Sequence, residues 1–137
     1  MAADAEAHDA DHLSEEVQRR SFVAGLARYL ARLLRLPARV AVVGPSMMPT
    51  LLDGDRCLVR RTRRVGRGDL VVFTDPEYPS RLIVKRVVGL APNGIEVAGD
   101  NLDASRDSRS FGAVPSRSVL GIAWYRYAPA ERTGRIS

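Results

Sequence analysis

Leu82-Ile83-Val84-Lys85-Arg86-Val87-Val88 reads as a β-strand: it is short, rich in β-branched residues and free of glycine and proline. Alternation puts Lys85 on the face of Ile83 and Val87 and turns Arg86 to the other, where it can pair with a carboxylate. The same texture extends outward from this run. Arg39–Val43, Arg56–Arg61, Leu70–Thr74, Leu82–Leu90, Gly94–Ala98 and Val119–Tyr127 are the strand candidates. Asp53-Gly54-Asp55, Gly66-Arg67-Gly68-Asp69, Asp75-Pro76, Pro92-Asn93-Gly94 and Gly99-Asp100-Asn101 supply the turns between them. The expected fold class is mainly β: an antiparallel β domain over residues 37–137 with one N-terminal amphipathic helix.

The helix is expected over residues 14–36. Ser14-Glu15-Glu16 offers a start with acids in the first turn. Phe22, Leu26, Tyr29, Leu30 and Leu33 recur at helical spacing, with Arg28, Arg32 and Arg35 on another face. The apolar part is too short and too rich in arginine to span a bilayer, and no cleavable secretory signal is evident. Two uses stay open for this helix: peripheral contact with a membrane, or packing on its own domain or a partner. Residues 1–13 read as a disordered acidic tail.

The 137 residues suffice for one domain with a real core. Residues 1–20 carry a net charge of −4 and the remainder +9. The basic residues are scattered without interleaved aromatics, so no nucleic-acid partner is expected. Cys57 is the only cysteine, which excludes an internal disulfide, and it reads as a small core residue. Both histidines, His8 and His12, lie in the acidic tail, which argues against a histidine-based triad or a folded metal site.

Lys85 is the sole lysine beside twenty arginines. Arginine stays charged under nearly all conditions, whereas a lysine desolvated among aliphatic side chains can lose its proton and act as a base. Ser46 lies in Gly44-Pro45-Ser46-Met47-Met48-Pro49-Thr50-Leu51, a tight turn after an apolar strand. The pair suggests a serine hydrolase with lysine as its base; a plain strand with one snorkelling lysine is the competing reading. The polar run from Gly99 to Arg109 is either a surface loop or a scaffold that orients such a pair.

Four ordered segments carry a resemblance: Pro45–Leu51, Gly68–Phe73, Val84–Gly89, and Gly99–Arg109 followed by Gly112-Ala113-Val114-Pro115. Together they resemble type I signal peptidases over about residues 40–122. The resemblance implies a serine endopeptidase with a Ser/Lys dyad on a β domain of the signal peptidase and repressor-peptidase kind. By motif position Ser46 is the nucleophile and Lys85 the general base. Ser105 orients the amine, while Asp107 and Arg109 brace the loop as a salt bridge. The Ser46 amide serves the oxyanion, with Gly44, Met47 and Met48 at the oxyanion and substrate side. The implied partner is an extended peptide with small residues before the cut; no metal or organic cofactor is implied.

Gly44 departs from the side-chain oxyanion donor of some members, and Leu102 and Ala104 stand where many have arginine and asparagine. Members usually carry a transmembrane helix before the serine; here only the arginine-laced helix precedes it. The expectation is therefore a cytoplasmic enzyme that most resembles the short signal-peptidase-like proteases associated with maturation of nickel-containing superoxide dismutase. Removal of an N-terminal leader from that protein is the implied activity. A secretory signal peptidase with a peripheral anchor and a non-catalytic module for extended peptides are the alternatives. Self-cleavage, as in repressor-type peptidases, is disfavoured because Ala24-Gly25 lies inside the expected helix.

Overall fold

The computed structural model describes residues 18–30, 32–34 and 36–137. The acidic segment 1–13 and the expected helix start at Ser14 lie outside them. The chain divides into two compact units between Leu36 and Pro37. In the first, residues 18–30 and 32–33 are helical (α1), and Phe22, Leu26, Tyr29 and Leu33 are exposed. Among the described residues no helix is long and apolar enough to cross a membrane.

The second unit is a seven-stranded antiparallel sheet. Its strands are β1 (Ala38–Ala41), β2 (Arg56–Arg61), β3 (Leu70–Thr74), β4 (Leu82–Ala91), β5 (Gly94–Ala98), β6 (Val119–Ala128) and β7 (Gly134–Arg135). The order across the sheet is β1-β2-β6-β3-β4-β5, with β7 on β6. β3 is buried on both faces, which is why it reads as an unbroken Leu-Val-Val-Phe run rather than an alternating one. Leu70 and Val72 join Val42, Met47, Leu51, Cys57, Val59 and Ala123 on one side. Val71 and Phe73 join Val87, Ile95, Val97, Val114 and Val119 on the other. Full burial of side chains of this size contributes about 1.5–3 kcal/mol each.

Five of the six expected strands begin at the expected residue. The exception is β1, which runs from Ala38 to Ala41 rather than from Arg39 to Val43. Its pairing changes beyond Ala41: Val42 bonds to Gly54 and Asp55, and Gly44 adopts φ +83°. That left-handed conformation turns the chain out of the strand and toward Ser46. A short helix α2 (Ser108–Phe111) was not expected from the loop composition; the Asp107 side chain caps it through the Arg109 amide.

Candidate active site

Ser46 opens a turn through Thr50 whose far side is nailed down by Met47, a core residue only 1% exposed. The turn closes through Met48 N–H to Pro45 O at 3.1 Å and Leu51 N–H to Met47 O at 2.9 Å. A loop leaving β5 holds it from the other side. The Asn101 amide donates to Ser46 O at 3.0 Å, and its side-chain Nδ2 donates to Pro45 O at 3.1 Å. Asp100 accepts from Thr50 Oγ1 at 2.5 Å and from Arg86 Nε and Nη2, each at 2.8 Å. Arg86 thus finds its carboxylate, on the face of β4 opposite Lys85, and ties that strand to the serine turn. Hydrogen bonds from Thr50 and Arg86 hold the Asp100 pKa below its ordinary range, the Arg86 contact being the larger cause.

Lys85 faces Val71 across the β3–β4 ladder and is 3% exposed. Burial lowers its pKa from the ordinary 10.5, and Arg106 adds to the shift while Asp107 opposes it. Ser46 and Lys85 line one cavity of about 710 Å³ between the Val40–Ser46 segment and the start of β4. Among the described residues no hydrogen bond joins the Ser46 hydroxyl to the Lys85 amine.

Ser105 accepts from the Gly99 amide at 3.1 Å and donates to Asp107 Oδ2 at 3.3 Å, so among the described residues its hydrogen bonds brace the loop and none reaches Lys85. Asp107 is fully buried and meets Arg109 Nε at 2.9 Å. Burial alone would push the Asp107 carboxyl up, but Arg109 and the amides of Arg109 and Gly99 hold it low. The Gly44 amide donates to Asp53 Oδ1 at 2.8 Å and is thereby occupied. Met48 is exposed, whereas the Met47 side chain is buried in the core.

Two braces had no local signal in the sequence. Buried Asp55 accepts from the Leu52 amide at 2.9 Å and from Arg132 Nη2 at 2.9 Å. Arg126 Nη1 donates to Thr50 O at 3.0 Å, fixing the end of the serine turn. Across the cavity rim, Arg106 Nη2 meets buried Asp75 at 2.5 Å. Its Nη1 lies 3.0 Å from Glu77 Oε2 without hydrogen-bond alignment, so only Coulomb attraction is credited there. Among the described residues no group of three or more His, Cys, Asp or Glu side chains could hold a metal.

Fold and site together define a β domain of the signal peptidase kind. The chain belongs to the signal peptidase family, peptidase S26, whose family model matches residues 15–99 and so includes both Ser46 and Lys85. It is 37% identical over 122 residues to mitochondrial ATP-independent inner membrane protease subunit 1a of Arabidopsis thaliana, covering 69% of this chain and 73% of the relative. Mitochondrial inner membrane protease subunit 1 of Xenopus tropicalis is 36% identical over 117 residues, with 68% and 70% covered. Probable signal peptidase I-1 of a Synechocystis species is 26% identical over 139 residues, with 66% and 71% covered. These relatives overturn the cytoplasmic location expected from the missing span: two of the three are inner membrane proteases by name. An arginine-laced helix is an insufficient ground for placing a member of this family away from membranes.

Proposed function

We propose that this chain is a serine endopeptidase that removes an N-terminal leader from a protein substrate at a membrane surface. The observation that carries the reading is a single buried lysine, its charged form disfavoured, on the same cavity as a turn-borne serine. The Lys85 amine takes the Ser46 proton as Oγ attacks the scissile carbonyl. The Ser46 amide, which has no partner among the described residues, donates to the oxyanion. Collapse of the tetrahedral species breaks the C–N bond, and Lys85 returns the proton to the leaving amine. Water, activated by the same amine, then hydrolyses the acyl-enzyme and restores Ser46. The loop from Gly99 to Arg109 holds the serine turn through Asn101, and Ser105 and Asp107 brace the loop itself.

Basic helix α1, with Phe22, Leu26, Tyr29 and Leu33 exposed, supplies peripheral membrane contact. The names of the relatives favour that setting. Nickel-containing superoxide dismutase as substrate rests on the sequence resemblance alone; the relatives above do not bear on it. Intact-mass analysis of a signal-type peptide with small residues before the cut tests the chemistry. One defined cut by wild type, and none by Ser46→Ala or folded Lys85→Arg, is expected. Near-normal cutting by Lys85→Arg would sink the lysine base, and binding without cutting by wild type would favour the peptide-binding module. A leader-bearing nickel superoxide dismutase in parallel tests the substrate separately.

A further inference from the structure

Two guanidinium groups line the cavity of Ser46 and Lys85, and they are not equivalent. Arg106 is committed to Asp75 and Glu77. Arg81 is exposed and has no carboxylate partner among the described residues. Its guanidinium lies over the Tyr78 ring, 4.9 Å from the centroid, which positions the charge without neutralising it. Its backbone is fixed as well: the amide donates to Tyr78 O at 2.8 Å and the carbonyl accepts from Asp75 at 2.9 Å. The cavity therefore keeps one ordered, uncompensated cation at the β3–β4 end.

Arg81 precedes Lys85 by four residues along one extended run, a distance of about 13 Å at about 3.3 Å per residue. A substrate strand lying beside that run advances at the same rate, and the length of the arginine side chain blurs the match by about one residue. We infer that Arg81 selects substrates carrying an acidic side chain three to five residues from the scissile bond. The inference rests on the peptidase reading and adds a substrate class to it.

Reporter peptides differing only in Glu, Gln or Lys, placed singly at each of those positions on either side of the cut, test it. At one position wild type is expected to prefer Glu over Lys by about five-fold in kcat/KM, carried by KM, as an exposed ion pair allows. About 1 M salt, with a Debye length of about 3 Å, should erase the preference. Arg81→Glu should reverse the order among the three peptides, whereas a merely structural role would lower all three alike. Equal rates at every position, or a preference that survives Arg81→Glu, overturns the inference and leaves the peptidase intact. If wild type cuts no peptide in the series, the peptidase reading falls and this inference falls with it.

Discussion

Replacing Gly99 with alanine should disable the site through a single methyl group. Gly99 is buried where the end of β5 meets both the serine turn and the Ser105 loop. A Cβ there would sit 2.5 Å from Ser46 O and 2.5 Å from Ser105 Cβ, and nearer still to Ser105 Oγ. Real Cβ atoms keep at least 3.0 Å from such neighbours, so the backbone must yield by about half an ångström or more. Ser46 O is also held by the Asn101 amide at 3.0 Å, so the serine turn cannot shift alone. A misplacement of 1 Å can cost about 100-fold, so a loss of about ten-fold or more in kcat/KM is expected. Overpacking should cost about 1–3 kcal/mol in stability. Gly89→Ala is the matched control: its Cβ would meet the side chain of Glu96, whose carboxylate can swing aside. Peptide cleavage followed by mass spectrometry, with urea denaturation of both variants, reads the two effects. Wild-type kcat/KM and stability in Gly99→Ala would refute the claim that these contacts position Ser46.

Lys85→Met should abolish cleavage yet raise stability. Because burial lowers the Lys85 pKa from 10.5, the unfolded chain holds that proton more tightly and folding is opposed below the ordinary value. The advantage of the variant should shrink as pH rises toward 10.5; an advantage independent of pH in urea denaturation would refute it. Asp107→Asn should cost about 1–3 kcal/mol at neutral pH, because a buried acceptor loses its charge-assisted bonds. The folded Asp107 pKa lies below 3.8, so this contribution is present above 3.8 and disappears as pH falls through the folded value, which acid titration of Tm checks. Buried Cys57, its thiol pushed up to about 11 by burial, should resist iodoacetamide in the native chain and react fully in denaturant. Labelling of native protein at the unfolded rate would contradict its core placement.

Strand identity was legible because it is written locally. The spans of β2, β3 and β5 follow from β-branched runs ended by Asp, Gly and Pro turns. The alternation around Lys85 also foretold which face would receive Arg86, and Asp100 supplies the carboxylate. What local pattern does not carry is pairing at distance. β6 lies between β2 and β3, and nothing in its composition announces that position. The Asp55 brace depends on Arg132, 77 residues further along. Asp53-Gly54-Asp55 reads only as a turn, although Asp53 holds the Gly44 amide and Asp55 holds the other end of the serine loop. Nor does the sequence around Ser46 announce that the Met47 side chain packs into the core.

The Arg126–Thr50 bond spans 76 residues, and this separation sets an order of events during synthesis. The segment bearing Ser46 leaves the ribosome well before Arg126 and Arg132 have been joined to the chain. A nascent polypeptide halted short of Arg126 would already contain Ser46, Lys85 and the Gly99–Arg109 loop, yet lack the guanidinium groups that fix Thr50 and Asp55. Closure of the serine turn at Thr50 and Asp55 is therefore a late step, waiting on arginines added 76 and 77 residues after the groups they hold.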